Sequence, residues 1–135
     1  MQTELPALAN LQEAAATLRQ QGSVLVLLVS RSDCAYCREV RLHYLLPLAR
    51  SEAGRPWLIR ELESDQVSSL RQLDGSRVSV KDWLKRMHVN FFPTVLFLDA
   101  AMQPLAEPLR GLDQAGFYGA YLEQRLQQAA AAKGR

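Results

Sequence analysis

The chain has 135 residues, 48% of them apolar and 22% charged, with a formal net charge of +2. That is one domain of ordinary globular composition, which excludes intrinsic disorder, collagen, coiled coil and a small disulfide scaffold. The 16 Lys and Arg are scattered, so no basic block points to nucleic acid, and the two Cys are too few for a Cys-only zinc or iron–sulfur site.

Leu8, Leu11, Ala15 and Leu18 step by three and four, which predicts a first helix ending near Gly22. Val24 to Val29 is short, branched and apolar at every position, the pattern of a central strand buried on both faces. It is the longest apolar run, far short of a membrane span. Residues 30–33 form a polar loop, with Asp33 read as a helix N-cap or a loop residue. From Cys34 the pattern is helical through Cys37, Val40, Tyr44 and Leu48, and Pro47 is expected to kink or end it.

Gly54 is expected to open a turn before a second strand, Trp57 to Leu62. Residues 64–78 hold a short helix or a small hairpin, with Asp74-Gly75 as a tight turn. Ser79 to Asp82 resembles a capping box, and Val80, Trp83, Leu84 and Met87 form the apolar stripe of the next helix. Phe91-Phe92-Pro93 breaks that helix, Thr94 to Leu98 is a strand, and Asp99 to Gln103 is a turn. Leu105 to Arg110 is a partner strand that Pro108 restricts to an edge. Tyr118, Leu122 and Leu126 lead a final helix. Strand–helix–strand requires a parallel pair, and the short turn before the last strand makes that pair antiparallel. An α/β fold follows, with a mixed central sheet flanked by helices on both faces. Trp57, Trp83, Phe91 and Phe92 read as core.

The informative motif is Cys34-Ala35-Tyr36-Cys37, placed after a buried strand and at the start of a helix. Free N–H groups and the helix dipole there favour a thiolate at Cys34. Cys37 lies one turn on, within reach of Cys34 and less exposed. Cys34 is thus the attacking thiol and Cys37 the resolving one, in thiol–disulfide exchange without metal or cofactor. Two other readings stay open. The cysteines are half of a zinc site completed by His43 and His88, whose spacing fits no finger, or they are an inert buried pair. His43 otherwise reads as a surface or packing residue, and His88 as a cation near a helix C-terminus.

Cys34-Ala35-Tyr36-Cys37 after an apolar strand, with Phe92-Pro93-Thr94 opening a later strand, resembles the thioredoxin family over residues 7 to 128. The resemblance implies a single domain of thioredoxin fold across residues 1–135, with an insertion at about 64–80. It implies a cis Pro93 beside the dithiol, and Phe92 and Tyr36 in contact with substrate. It implies a monomer that acts on cysteine-containing proteins and is served by a redox partner protein. The pattern departs from that family in four ways: Asp33 stands where a Trp is usual, Leu28 where a buried acid is usual, Ala-Tyr lies between the cysteines, and the 64–80 segment is extra. The Tyr before the second cysteine is similar to the disulfide isomerases of the bacterial periplasm, and the 64–80 segment is similar to thioredoxin-like proteins of the bacterial envelope, including the type associated with sulfur oxidation. A reductase or electron relay is favoured over an oxidase or isomerase, and a non-catalytic peptide-binding module is the alternative. The first residues carry no basic n-region or apolar h-region. The periplasm is expected, with a signal peptide already removed; the cytoplasm is the alternative.

Overall fold

The computed structural model describes residues 3–51, 56–113 and 115–134. The turn expected at Gly54 lies outside the described residues. Helix α1 (Leu11–Gln21) starts where the Asn10 side chain accepts the Glu13 N–H at 3.1 Å. It ends at Gly22, whose φ of 65° is the left-handed cap that glycine adopts without a Cβ clash. Its buried side chains, Leu11, Ala14, Ala15 and Leu18, form one stripe. Leu8 belongs to the core but not to this helix. Glu61 N–H donates to Pro6 O and Leu8 N–H to Glu61 O, both at 2.9 Å, so the entering chain runs along the outer edge of the second strand.

Strand β1 (Val24–Ser30) is buried at all seven positions. Strand β2 (Trp57–Glu63) pairs with it in parallel, placing Leu28 opposite Glu61. Between them the chain crosses over in a long helical passage: α2 (Ala35–Val40), a π turn (Arg41–Leu45) and α3 (Leu46–Arg50). Pro47 therefore does not end the helix. The wider turn before it, where Leu46 N–H reaches back to Arg41 O, replaces the ladder that its ring would break.

Residues 64–78 resolve into a hairpin rather than a helix. Strands β3 (Ser69–Arg71) and β4 (Arg77–Ser79) pair antiparallel, with Asp74 and Gly75 in the turn. Leu70 and Val78 enter the core under α1. Ser79 Oγ accepts the Asp82 N–H at 3.0 Å and caps α4 (Val80–Arg86). Strand β5 (Thr94–Leu98), wholly buried, pairs antiparallel with β1. The expected strand from Leu105 shrinks to β6 (Leu109–Arg110). Pro104 and Pro108 have no N–H for a ladder, so the chain keeps only the Pro104 bridge and one bond from Leu105 N–H to Phe97 O before Leu109. Helix α5 (Tyr118–Lys133) closes the fold.

The sheet order is β2-β1-β5-β6, with β6 at an edge as Pro108 requires. Alternation along β1 divides the core. Leu25, Leu27 and Val29 face α1, α4 and the hairpin; Val24, Val26 and Leu28 face the α2–α3 passage and α5. Each fully buried Leu contributes about 1.5–3 kcal/mol. This is the mixed sheet with helices on both faces that the element order requires.

Candidate dithiol site

β1 is apolar until Ser30, and the exposed loop 31–33 then delivers the chain to Cys34. That loop is tied down: Ser32 donates its N–H (3.0 Å) and its hydroxyl to the Asp65 carboxylate, and Ser64 donates its N–H (2.8 Å) and hydroxyl (3.0 Å) to Ser30 O. The Ser32 hydroxyl, first among several hydrogen bonds, holds Asp65 below the ordinary aspartate range. Cys34, and not Asp33, is the N-cap of α2: its Sγ accepts the Cys37 N–H at 3.1 Å. Asp33 points outward and faces Arg31 at 3.6 Å.

Cys34 and Cys37 form a disulfide with their Cα atoms 5.2 Å apart. Cys37 is fully buried (0% exposed), whereas Cys34 is only half-buried. One sulfur is thus open to a reactant, and the other waits one turn inward. The N–H that Cys34 accepts favours an anionic sulfur there.

Thr94 pairs with Val29, so Phe91-Phe92-Pro93 arrives at the same end of the sheet that leads into Cys34. The Phe92–Pro93 peptide bond is cis. Two bonds brace this loop: the Thr94 hydroxyl donates to Phe91 O (2.6 Å) and the Gly111 N–H to Pro93 O (2.7 Å). The main-chain N–H and C=O of Phe92, between them, have no partner among the described residues. The Arg31 guanidinium stands 5.8 Å above the Phe92 ring and joins the two loops. Phe92 is partly buried against the core, but Phe91 is 54% exposed and is not core. Its ring rests on Gly111, where an added Cβ would sit 3.1 Å from Cε1. Tyr36 is 47% exposed, on the turn between the cysteines.

A buried ion pair lies behind the helix. Arg41 Nε and Nη2 donate to the two Glu61 oxygens at 2.7 and 2.6 Å, and the Ser30 hydroxyl donates to the same carboxylate. The hydrogen bond to Glu61 raises the Arg41 pKa further above its ordinary value. Leu28, where the resemblance expects an acid, is buried and apolar, and its register partner Glu61 carries a carboxylate on the next strand. Sequence reading missed this pair. The available signal was phase: Ile59 and Glu61 share one strand face, and Arg41 follows Cys37 by one helical turn.

His43 is exposed and lies 3.8 Å from Glu39, and exposed His88 takes a φ of 58° just past α4. Among the described residues no group of three or more His, Cys, Asp or Glu is placed to hold a metal ion. No helix among them is long and apolar enough to cross a membrane.

No family model and no curated protein matches the chain. Solved structures do. Mitochondrial thioredoxin 3 of Saccharomyces cerevisiae, in its oxidised form, superposes with a TM-score of 0.61 at 19% identity, covering 91% of this chain and 93% of that one. Fasciola hepatica thioredoxin gives 0.63 at 14% identity over 93% and 99%. A poplar thioredoxin h mutant gives 0.64 at 12% identity over 97% and 88%. At these identities the likeness speaks for architecture: the chain has the thioredoxin fold, with a Cys-x-x-Cys pair at the end of its central strand.

Proposed function

We propose that this chain is a protein thiol–disulfide oxidoreductase working as a reductase or electron relay. The observation that carries the reading is the asymmetry of the pair: two coupled cysteines, one accessible and accepting an N–H, the other sealed one turn inward. In the reduced protein the Cys34 thiolate attacks a substrate disulfide. The S–S bond breaks, one substrate sulfur leaves and takes a proton, and a mixed disulfide remains on Cys34. Cys37 loses its proton, attacks the Cys34 sulfur and expels the second substrate thiol. Two electrons pass to the substrate, and a redox partner protein restores the dithiol.

The N–H and C=O of Phe92, unpaired among the described residues, suit a substrate segment laid beside them as a short added strand, with Pro93 and Tyr36 flanking it. The substrates are cysteine-containing proteins. The Tyr before the second cysteine and the 64–80 hairpin favour the bacterial envelope type, acting as a monomer in the periplasm.

Dithiothreitol-driven insulin reduction tests this. Wild type is expected to accelerate it, and Cys34→Ser to fall to the background rate. Wild-type activity in Cys34→Ser would remove the nucleophile from Cys34. The same Phe92 main chain suits a second reading, a peptide-binding module without catalysis. That module predicts a Cys34 alkylation rate with a midpoint at the free-thiol value of about 8.5, whereas an enzyme predicts a lower one.

A further inference from the structure

Away from the dithiol, β5 borders a cavity of about 760 Å³, within the range of small-ligand pockets. Leu96, Phe97 and Leu98 all line it although their side chains enter opposite cores, so it runs along the edge of the strand. The pairing of β5 with β6 ends at Val95 and Leu109, and the chain touches that edge again only where Leu105 N–H donates to Phe97 O. The Phe97 N–H, in the gap between, has no partner among the described residues. A buried donor left unpaired is costly, and a ligand acceptor removes the cost.

Two walls of this cavity hold the only non-glycine residues of positive φ among the described residues, His88 at 58° and Met102 at 60°. His88 follows the C-cap of α4, with its own N–H on Lys85 O and the next on Leu84 O. Met102 closes the turn after β5, its N–H on Asp99 O. Glycine is the ordinary residue at both kinds of position, because it has no Cβ to clash. Here an imidazole and a thioether stand there instead, at a conformational cost, and both line one space.

We propose that this cavity binds a small organic monocarboxylate with an apolar body, its carboxylate accepting the Phe97 N–H in the field of Arg86 and Arg110. Both arginines line the cavity, and their hydrogen-bond partners, Gln72 Oε1 at 2.7 Å and His88 O at 3.3 Å, are neutral. Neither forms an ion pair among the described residues, so both charges are left for a ligand. Met87, Met102 and Leu105 supply the apolar wall, and the methionines adapt to irregular shapes. Glu107, the one acid of the lining, disfavours a second negative charge on the ligand.

Amide NMR titration of the full chain with octanoate tests this, with acetate, octanol and octylammonium as controls. Octanoate is expected to saturate, to shift the Phe97 amide, and to bind about tenfold tighter than each control. Arg86→Glu, at an exposed position, should weaken octanoate about tenfold. His88→Gly relieves the left-handed backbone, so its melting temperature should rise while octanoate binding weakens about threefold. Shifts that never saturate or that spare Phe97, equal binding of octanoate and octylammonium, or wild-type affinity in Arg86→Glu, each overturns the site.

Discussion

The middle of β1 and its C-terminal end are built on opposite principles. From Val24 to Val29 every side chain is apolar and buried, with a hydrophobic layer on each face. A few ångströms on, Ser30, Glu61 and Thr94 are the buried residues, with Arg41 nearly so. Each has a bonded partner: Ser30 and Arg41 on Glu61, and Thr94 on Phe91 O. The apolar stretch supplies stability by area alone and tolerates any partner of the right volume. The polar end is directional. It fixes where β1 stops, how the cysteine helix leaves, and how the Phe92 loop approaches.

The largest effect sharpens this contrast. Glu61→Leu leaves the nearly buried Arg41 without its partner and should cost about 3 kcal/mol or more in urea unfolding. The double variant Glu61→Leu/Arg41→Leu should regain most of that loss, because apolar packing replaces the pair. If the polar end serves the site, the stable double variant should still reduce insulin more slowly than wild type. Equal rates would reduce the pair to a structural role.

Leu27→Ala, in the middle of the strand, should cost about 2–5 kcal/mol by leaving a cavity. Its insulin activity, measured where both proteins are folded, should match wild type. A selective loss of activity would break the division between the two regions.

Tyr118→Phe should raise stability by up to about 1 kcal/mol. Its ring packs on Tyr44 at 4.8 Å, but its buried hydroxyl has no hydrogen-bond partner among the described residues, and burial pushes the phenol pKa well up. Destabilisation would show that the hydroxyl is satisfied in solution.

The smallest effect is on pH. Asp65 is held below its ordinary range by Ser32, so its contribution is complete above the unfolded aspartate value of about 3.9 and is lost as pH falls through the lower, folded value. Asp65→Asn should flatten the stability curve in that acid window and leave it unchanged near neutrality. An unchanged acid limb would detach Ser32 from Asp65.

How legible the molecule is from sequence follows the same division. β1, the Asp74-Gly75 turn and the Ser79 cap are local patterns, and each appears where its residues predict it. The cysteines were legible because their spacing and their place after a buried strand are also local. What failed depends on partners distant in sequence. Leu8 matched a helical step, but the edge of β2 takes that segment instead. Pro47 signalled a kink or an end, and the helical passage continues past it after a π turn. Phe91 looked like core because it is aromatic, yet the bare surface of Gly111, twenty positions on, holds it outside. Glu61 read as an ordinary strand residue until Arg41 and Ser30 closed around it.

The most direct measurement is capture of the covalent intermediate. Reduced Cys37→Ser protein would be mixed with an oxidised protein substrate, quenched in acid and mapped by mass spectrometry. The account predicts a mixed disulfide on Cys34 that wild type does not accumulate. No adduct on Cys34, while Cys34→Ser accumulates one on Cys37, would contradict it.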